Sequence, residues 1–478
     1  MLPRPLLPLA LLALASCATT APTPAITDCA TRLQAFESFA SIHNVSVSEP
    51  RAVPGYPALG TNRLLASFDP AQLTVAEQRA WLKRLGDAGQ RRRALLRSML
   101  ADLPELQSRR ELSAGVLDRC AARAVANLPH DAQDWRDLHA AAQVPDDYLL
   151  SRRAFGLYPL TSLVAQSGIR RLQREVSAVF ATPLKDLPVR GDLQRWVPIV
   201  AAPVLQGEDL QSDALGPLQV DASALQLLFE RHAPVWEIEV DGDHDRPGRP
   251  YFEKPAVPRV DAGEPVVFHY VSLTRLGGAL RLQLNYLVWF DRRPARGAFD
   301  SLSGSLDGLL WRVTLDAAGQ VLVYDSVHPC GCYHLLFPGV QLALRETALA
   351  LPEPPLVPQS APALRAGERV VLRVSGGEHF IQRVYTDRIE PAGALATRYA
   401  LAPYRELYRS PHPDGPRSLF DRHGIVPGTD RGERFYLWPM GIRAPGAMRE
   451  RGRHATAFVG RRHFDDAFLL EELFQPAP

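Results

Sequence analysis

The sequence predicts an α+β protein: an N-terminal helical region, then an antiparallel β meander, with a C-terminal hairpin and long loops. Two changes of period carry this reading. From residue 28 to 232, apolar residues recur mainly at i, i+3 and i+4, as on one face of a helix. Beyond Pro234 they alternate, most regularly at Leu280, Leu282, Leu284, Tyr286, Val288 and Phe290, which is the period of a strand. A hydrophobic content of 46% and a charged content of 22% fit a folded protein with a sizeable core. Once the leader described next is removed, about 460 residues remain, a length that favours two or three domains.

The first element is a leader, residues 1–16. Arg4 supplies a positive start, Leu6 to Leu14 an apolar run, and Leu14-Ala15-Ser16-Cys17 a close of small residues before a cysteine. The run falls short of the roughly 20 apolar residues a membrane-spanning helix needs, so it reads as a removable signal. Leu-Ala-Ser-Cys resembles the lipobox of bacterial lipoproteins. That resemblance implies that Cys17 becomes the acylated first residue of the mature chain and that lipid on Cys17 is its membrane attachment. It also implies sorting to the outer membrane, because residue 18 is alanine and not the aspartate that signals inner-membrane retention in enteric bacteria. Residues 17–27, rich in Thr, Pro and Ala, read as a lipidated tether.

Residues 28–232 form the mainly helical domain. Thr74-Val-Ala-Glu77 has the form of a capping box ahead of Trp81, Leu82 and Leu85, and Leu95, Leu96, Met99 and Leu100 continue the stripe. Further periodic segments follow Ser113, span Leu160 to Phe180, and start at Asp221. Arg91-Arg92-Arg93 reads as the solvated face of a helix. Residues 233–345 form the antiparallel β domain, with turns at Gly277-Gly278 and at Asp316 to Gly319. Residues 346–478 hold a Pro-rich linker or wrapping segment, a hairpin turning at Gly376-Gly377, loops over 398–460 and a terminal helix from Asp465 to Phe474.

The five cysteines sharpen the picture. In an oxidising compartment Cys29 and Cys120 form the parsimonious disulfide, which leaves Cys330 and Cys332 as their own unit. His328-Pro-Cys330-Gly-Cys332-Tyr-His334 places four metal-binding side chains at every second position, all on one face if the backbone stays extended. Zinc or copper suits two thiolates and two imidazoles, although Cys-x-Cys is tighter than the usual spacing of structural zinc sites. A strained structural disulfide or a redox pair are the other readings of the same cysteines.

Two further clusters carry titratable groups. Glu237, Glu239, Asp241, Asp243 and Asp245 fail the calcium-loop test, since Arg246 and Phe252 stand where glycine and glutamate belong. They read as the solvent face of a strand and a polar turn. His454, His463, Asp465 and Asp466, beside Arg451, Arg453, Arg461 and Arg462, read as surface residues. A net charge of +2 with scattered arginines excludes the concentrated basic surface that nucleic acid requires.

The function expected from sequence is an outer-membrane-anchored periplasmic lipoprotein that binds or scaffolds an envelope partner. The alternative is a periplasmic metal-dependent or thiol-redox enzyme centred on residues 328–334.

Overall fold

The computed structural model describes residues 28–128, 131–200, 211–219, 222–388 and 396–477. Cys17, the tether and Asp221 lie outside them. Five helices matter for the site: α1 (Cys29–Ile42), α2 (Val75–Met99), α3 (Ala114–Ala126), α4 (Tyr158–Ala181) and α5 (Ala222–His232). The Thr74–Glu77 capping box opens α2 as the spacing predicts. Asp28 caps α1, its carboxylate accepting from the Thr31 backbone N–H at 2.9 Å.

The centre of the molecule is one ten-stranded sheet. Its strands in chain order are β1 (Asp192–Pro198), β2 (Val235–Val240), β3 (Val266–Leu276), β4 (Ala279–Arg293), β5 (Gly304–Leu315), β6 (Val321–Val327), β7 (Leu335–Pro338), β8 (Glu368–Val374), β9 (Ile381–Arg388) and β10 (Ala396–Pro403). In space they run β7-β6-β5-β4-β3-β10-β1-β2-β8-β9. The meander β3 to β7 is antiparallel throughout. The rest of the sheet is mixed, since β10 lies parallel to both β3 and β1, and β8 lies parallel to β2. A long return from the C-terminal segment inserts β10 between strands far earlier in the chain, and such a crossover yields parallel neighbours. The sheet therefore takes strands from all three regions delimited by sequence.

Gly277 and Gly278 both adopt positive φ, 67° and 72°, between the paired ends Leu276 and Ala279. A two-residue loop of this kind matches the twist of its strands, and glycine reaches it without strain. Leu282, Leu284, Tyr286, Val288 and Phe290 face one core with Trp236, Trp311, Tyr324 and Tyr399, covered by α4 and α5. Leu287, Trp289, Leu310 and Val327 face the opposite core, shared with α1, α2, α3 and the C-terminal loops. The Pro-rich stretch wraps the sheet edge: the Leu336 N–H donates to Leu356 and the Ala361 N–H to Pro338. The terminal helix is shorter than the pattern predicts, Leu469–Leu473, and the chain leaves it as a strand, Phe474–Pro476.

Of the arginine run at 91–93 only Arg91 is solvated. Arg92 pairs with Glu37 at 2.8 Å, and Arg93 donates to the Ala58 carbonyl at 2.9 Å. Both are buried because α2 lies against the hairpin Arg51–Val53/Tyr56–Thr61 with almost no gap. A Cβ on Gly89 would sit 2.1 Å from the Ala58 oxygen, so only glycine permits that approach.

The disulfide joins Cys29 at the start of α1 to Cys120 in α3, with Cα atoms 4.8 Å apart and a sequence separation of 91. Replacing both with alanine is expected to lower the unfolding free energy by up to about 4–5 kcal/mol, the chain-entropy value for so long a loop. Urea titration of both proteins measures this, and a change below about 1 kcal/mol contradicts it.

Candidate functional site

Residues 328–334 join β6 to β7, and the chain between them does not stay extended. Gly331 (φ +88°) and Tyr333 (φ +58°) turn it back. The Gly331 N–H donates to the His328 carbonyl at 2.7 Å, and the His328 N–H donates to that of Cys332 at 3.0 Å. A Cβ at position 331 would lie 2.3 Å from the Ala455 oxygen, so glycine is required on two grounds.

This turn breaks up the proposed zinc or copper set. The Asp307 carboxylate lies opposite Phe290 in register and so faces the α4/α5 core; His328 Nδ1 approaches it at 3.4 Å. His334 Nε2 lies 3.0 Å from Asp325, on the other face of the sheet beside Arg312. Strand alternation thus sends the two imidazoles to opposite faces. Cys330 and Cys332 remain together, but His328, Cys330, Cys332 and His334 do not converge. Among the described residues, no group of three or more His, Cys, Asp or Glu is placed to hold a metal ion.

The residues that do converge form a buried chain. Asp307 holds His328 on one side and His379 Nδ1, at 2.8 Å, on the other. His379 Nε2 lies 3.2 Å from Asp245. The His379 ring stacks on Phe290 at 3.9 Å, and Asp245 is fixed by the backbone N–H groups of Asp241 and Gly377. Burial works to neutralise both His379 and Asp307. The two carboxylates outweigh it for His379 and raise its pKa. Bonds from the two histidines outweigh it for Asp307 and hold that carboxyl well below the usual range. The two flanking carboxylates therefore favour the charged form of His379.

The two thiols sit beside this chain. Cys330 and Cys332 are free and buried, and the Cys332 N–H donates to Cys330 Sγ at 3.3 Å. A cavity of about 20 Å³ is lined by both thiols, His328, Asp307, Arg293 and Glu433. The Cys330 thiol, which hydrogen-bonds Cys332, and then burial push Cys332 well above the ordinary thiol range, so it is protonated at neutral pH. Burial also raises Glu433 to about 7, against the pull of Arg431, Arg293 and Arg449. The site can therefore exchange a proton near neutrality beside a reduced thiol pair.

Of these residues, Asp245 was visible only as part of an acidic run; Asp241 and Asp243 of that run are exposed as expected, but Glu237, Glu239 and Asp245 are buried. Glu237 pairs with Arg195 at 2.7 Å, and Arg373 contacts both Glu237 and Glu239, at 3.4 and 3.2 Å. Both glutamates are buried because β2 lies inside the sheet, between β1 and β8. Asp307 had a faint signal, a single acid within an apolar strand. His379 stood out only as one of four distant histidines, with His269, His454 and His463, that could approach the Cys-x-Cys unit; Glu433 had no signal.

The C-terminal cluster is only partly at the surface: Arg461 is exposed, and Asp465, Asp466, Arg451, Arg453 and Arg462 are half-buried. His454 and His463 are buried, and His463 lies 3.3 Å from Asp146. Arg63 bridges Asp465 and Asp147, each at 2.9 Å. On the same face Arg312 pairs with Asp325, lies 3.5 Å above the Phe464 ring and donates to the Phe464 carbonyl. His269 packs on Phe229, away from the cysteines.

No protein-family model, curated protein or solved structure matches this chain.

The His379 geometry sets a pH dependence. Its folded pKa lies above the ordinary 6.5, so the stability it contributes is complete below that value and is lost as pH rises through the folded pKa. The partner Asp307 has its pKa depressed below 3.8, so its contribution is present above that value. The stability difference between wild type and His379→Gln is expected to be largest between about pH 4 and 6.5 and to shrink at alkaline pH. Urea unfolding at pH 5.5 and 9.5 measures it, and a difference that grows with pH contradicts the assignment.

Proposed function

We propose that this protein is a lipid-anchored component of the bacterial cell envelope whose mature domain carries a dithiol–disulfide centre at Cys330 and Cys332. The observation that carries the proposal is the pair of free thiols in hydrogen-bond contact, sharing one cavity with a histidine held by a carboxylate. A sulfur, a histidine beside it and a carboxylate that orients the histidine are the parts of a nucleophile–base arrangement. The buried resting thiol is protonated and must pass its proton to the base before attack. Two adjacent sulfurs favour disulfide exchange over acyl transfer.

In this reading one thiol gives its proton to His328, and its sulfur attacks a disulfide R–S–S–R of a protein or small-molecule partner. The first R–S⁻ leaves and takes up a proton. The second thiol then attacks the mixed disulfide, loses its own proton and expels the second R–SH. The balance is two thiols and one external disulfide giving a Cys330–Cys332 disulfide and two external thiols. Asp307, 3.4 Å from His328 Nδ1, keeps the ring oriented.

Anchoring rests on Leu14-Ala-Ser-Cys17, and among the described residues no helix is long and apolar enough to cross a membrane. Outer-membrane sorting and a periplasm-facing position complete the proposal. A purely binding or scaffolding lipoprotein is the reading that remains if the thiols are inert.

Titrating the full chain through glutathione and dithiothreitol redox buffers is expected to convert both thiols in one two-electron step while Cys29–Cys120 stays intact. Cys330→Ser with Cys332→Ser should abolish the step. His328→Ala should slow oxidation by about 10²-fold or more, the usual contribution of a positioned base. Thiols that stay reduced in oxidised glutathione while the protein remains folded overturn the redox proposal. In cells, Cys17→Ser is expected to lose incorporated palmitate, and undiminished labelling overturns the anchor.

A further inference from the structure

One end of the molecule exposes an apolar surface that no core uses. On the first turns of α4, Leu160, Leu163 and Val164 are 65%, 62% and 74% exposed, and Leu157 and Phe155 just before it are also open. A second segment lies alongside. Residues 438–442 pack on 149–156: Arg153 Nε donates to the Met440 carbonyl, the Leu149 N–H donates to that of Gly441, and Pro439 abuts Gly156. That contact brings Phe435 (73% exposed), Tyr436 and Trp438 to the same end. Side chains of this size, exposed together, mark an interaction site in a folded protein.

The charge along α4 is net positive, although Arg171 pairs with Glu175 at 2.8 Å, and the Arg434–Asp430 pair beside Phe435 is neutral. Residues 149–174 contain no Asp or Glu but five arginines. Arg152 and Arg153 are tied to backbone carbonyls, whereas Arg170, Arg171 and Arg174 continue along α4 beyond the apolar turns. Leucine, valine and aromatic side chains beside a helix that carries Arg170, Arg171 and Arg174 against the single acid Glu175 complement an anionic lipid surface. Aromatic residues with a polar tip, such as Tyr436 and Trp438, favour the membrane–water interface in particular. We infer that this face, Phe155 to Val164 with Phe435 to Trp438, docks on the headgroup region of an anionic bilayer.

The proposed anchor makes a weak surface sufficient. At most about 40 Å of extended chain separates Cys17 from Asp28, so lipidation holds the domain at high local concentration over the bilayer. The inference takes only this proximity from the anchoring proposal, and its test does without the lipid.

The full chain with Cys17→Ser is mixed with vesicles of phosphatidylglycerol and phosphatidylethanolamine and, separately, of phosphatidylcholine alone. Co-sedimentation with the anionic vesicles, reduced by added salt and absent from phosphatidylcholine, is expected. Leu160→Asp, Leu163→Asp and Val164→Asp combined should weaken it at least tenfold with an unchanged thermal melt. Phe435→Ser with Trp438→Ser, on the independent segment, should weaken it as well. Absence of binding to the anionic vesicles overturns the inference, as does binding that both variants retain. Self-association of the unmutated face, seen by analytical ultracentrifugation and lost in the triple variant, would assign it to a second copy of the chain and also overturn it. Thiol inertness or absence of palmitate on Cys17 leaves these outcomes unaffected.

Discussion

Burial of the meander on both faces is the constraint from which the rest of the structure follows. A sheet with one wet face can leave its polar residues in water, but here β4 and β5 lie between two cores. Most buried polar side chains they carry find a partner within the protein, because an unpaired buried group costs about 1–3 kcal/mol or more; Asn285 Oδ1, Trp289 Nε1 and Trp311 Nε1 are left without one. Asn285 accordingly donates to Ser272, Ser272 to Gln283, and Gln283 to Thr314. Arg312 takes Asp325 as its partner, and Asp307 takes two histidines. The titratable chain beside the thiols is thus one member of a general pattern in which polar groups on buried strands are satisfied in pairs and relays.

The same constraint explains what was legible in the sequence. The strands of the meander, their turns and the α2 cap could be read because their signals are local: a period of two, a glycine pair, a threonine three residues before a glutamate. Glu237 and Glu239 were misread because an alternating acid looks solvated until its partners are known, and those partners, Arg195 and Arg373, lie 42 and 134 or more residues away. The C-terminal loops showed no periodicity because side chains, not a backbone ladder, satisfy them. Arg449, for example, donates to the carbonyls of Cys330 and Ala444, and the Glu450 carboxylate accepts from Ser48 and Tyr408.

The candidate site was half legible. The Cys-x-Cys unit stood out by composition, and its two thiols are indeed neighbours. The histidines on either side were assigned to the same face on the premise of an extended backbone, and the positive-φ residues Gly331 and Tyr333 remove that premise. What the local pattern could not supply was Asp307, which lines the thiol cavity from β5, and its contact with His379 in the turn before β9.

The position of β10 has a consequence for the order of assembly. This strand sits between β3 and β1 and is the last of the ten to be synthesised. The two halves of the sheet have no direct ladder between them until residues 396–403 are in place. Closure of the sheet is therefore a long-range, late event, and contacts of such high sequence separation form slowly. A chain threaded outward from its N terminus would hold its two half-sheets as separate, open-edged units until nearly all of it had crossed. The edges of β3 and β1 facing the gap are then unprotected, which makes that interval the one in which the protein is most exposed to wrong strand pairing.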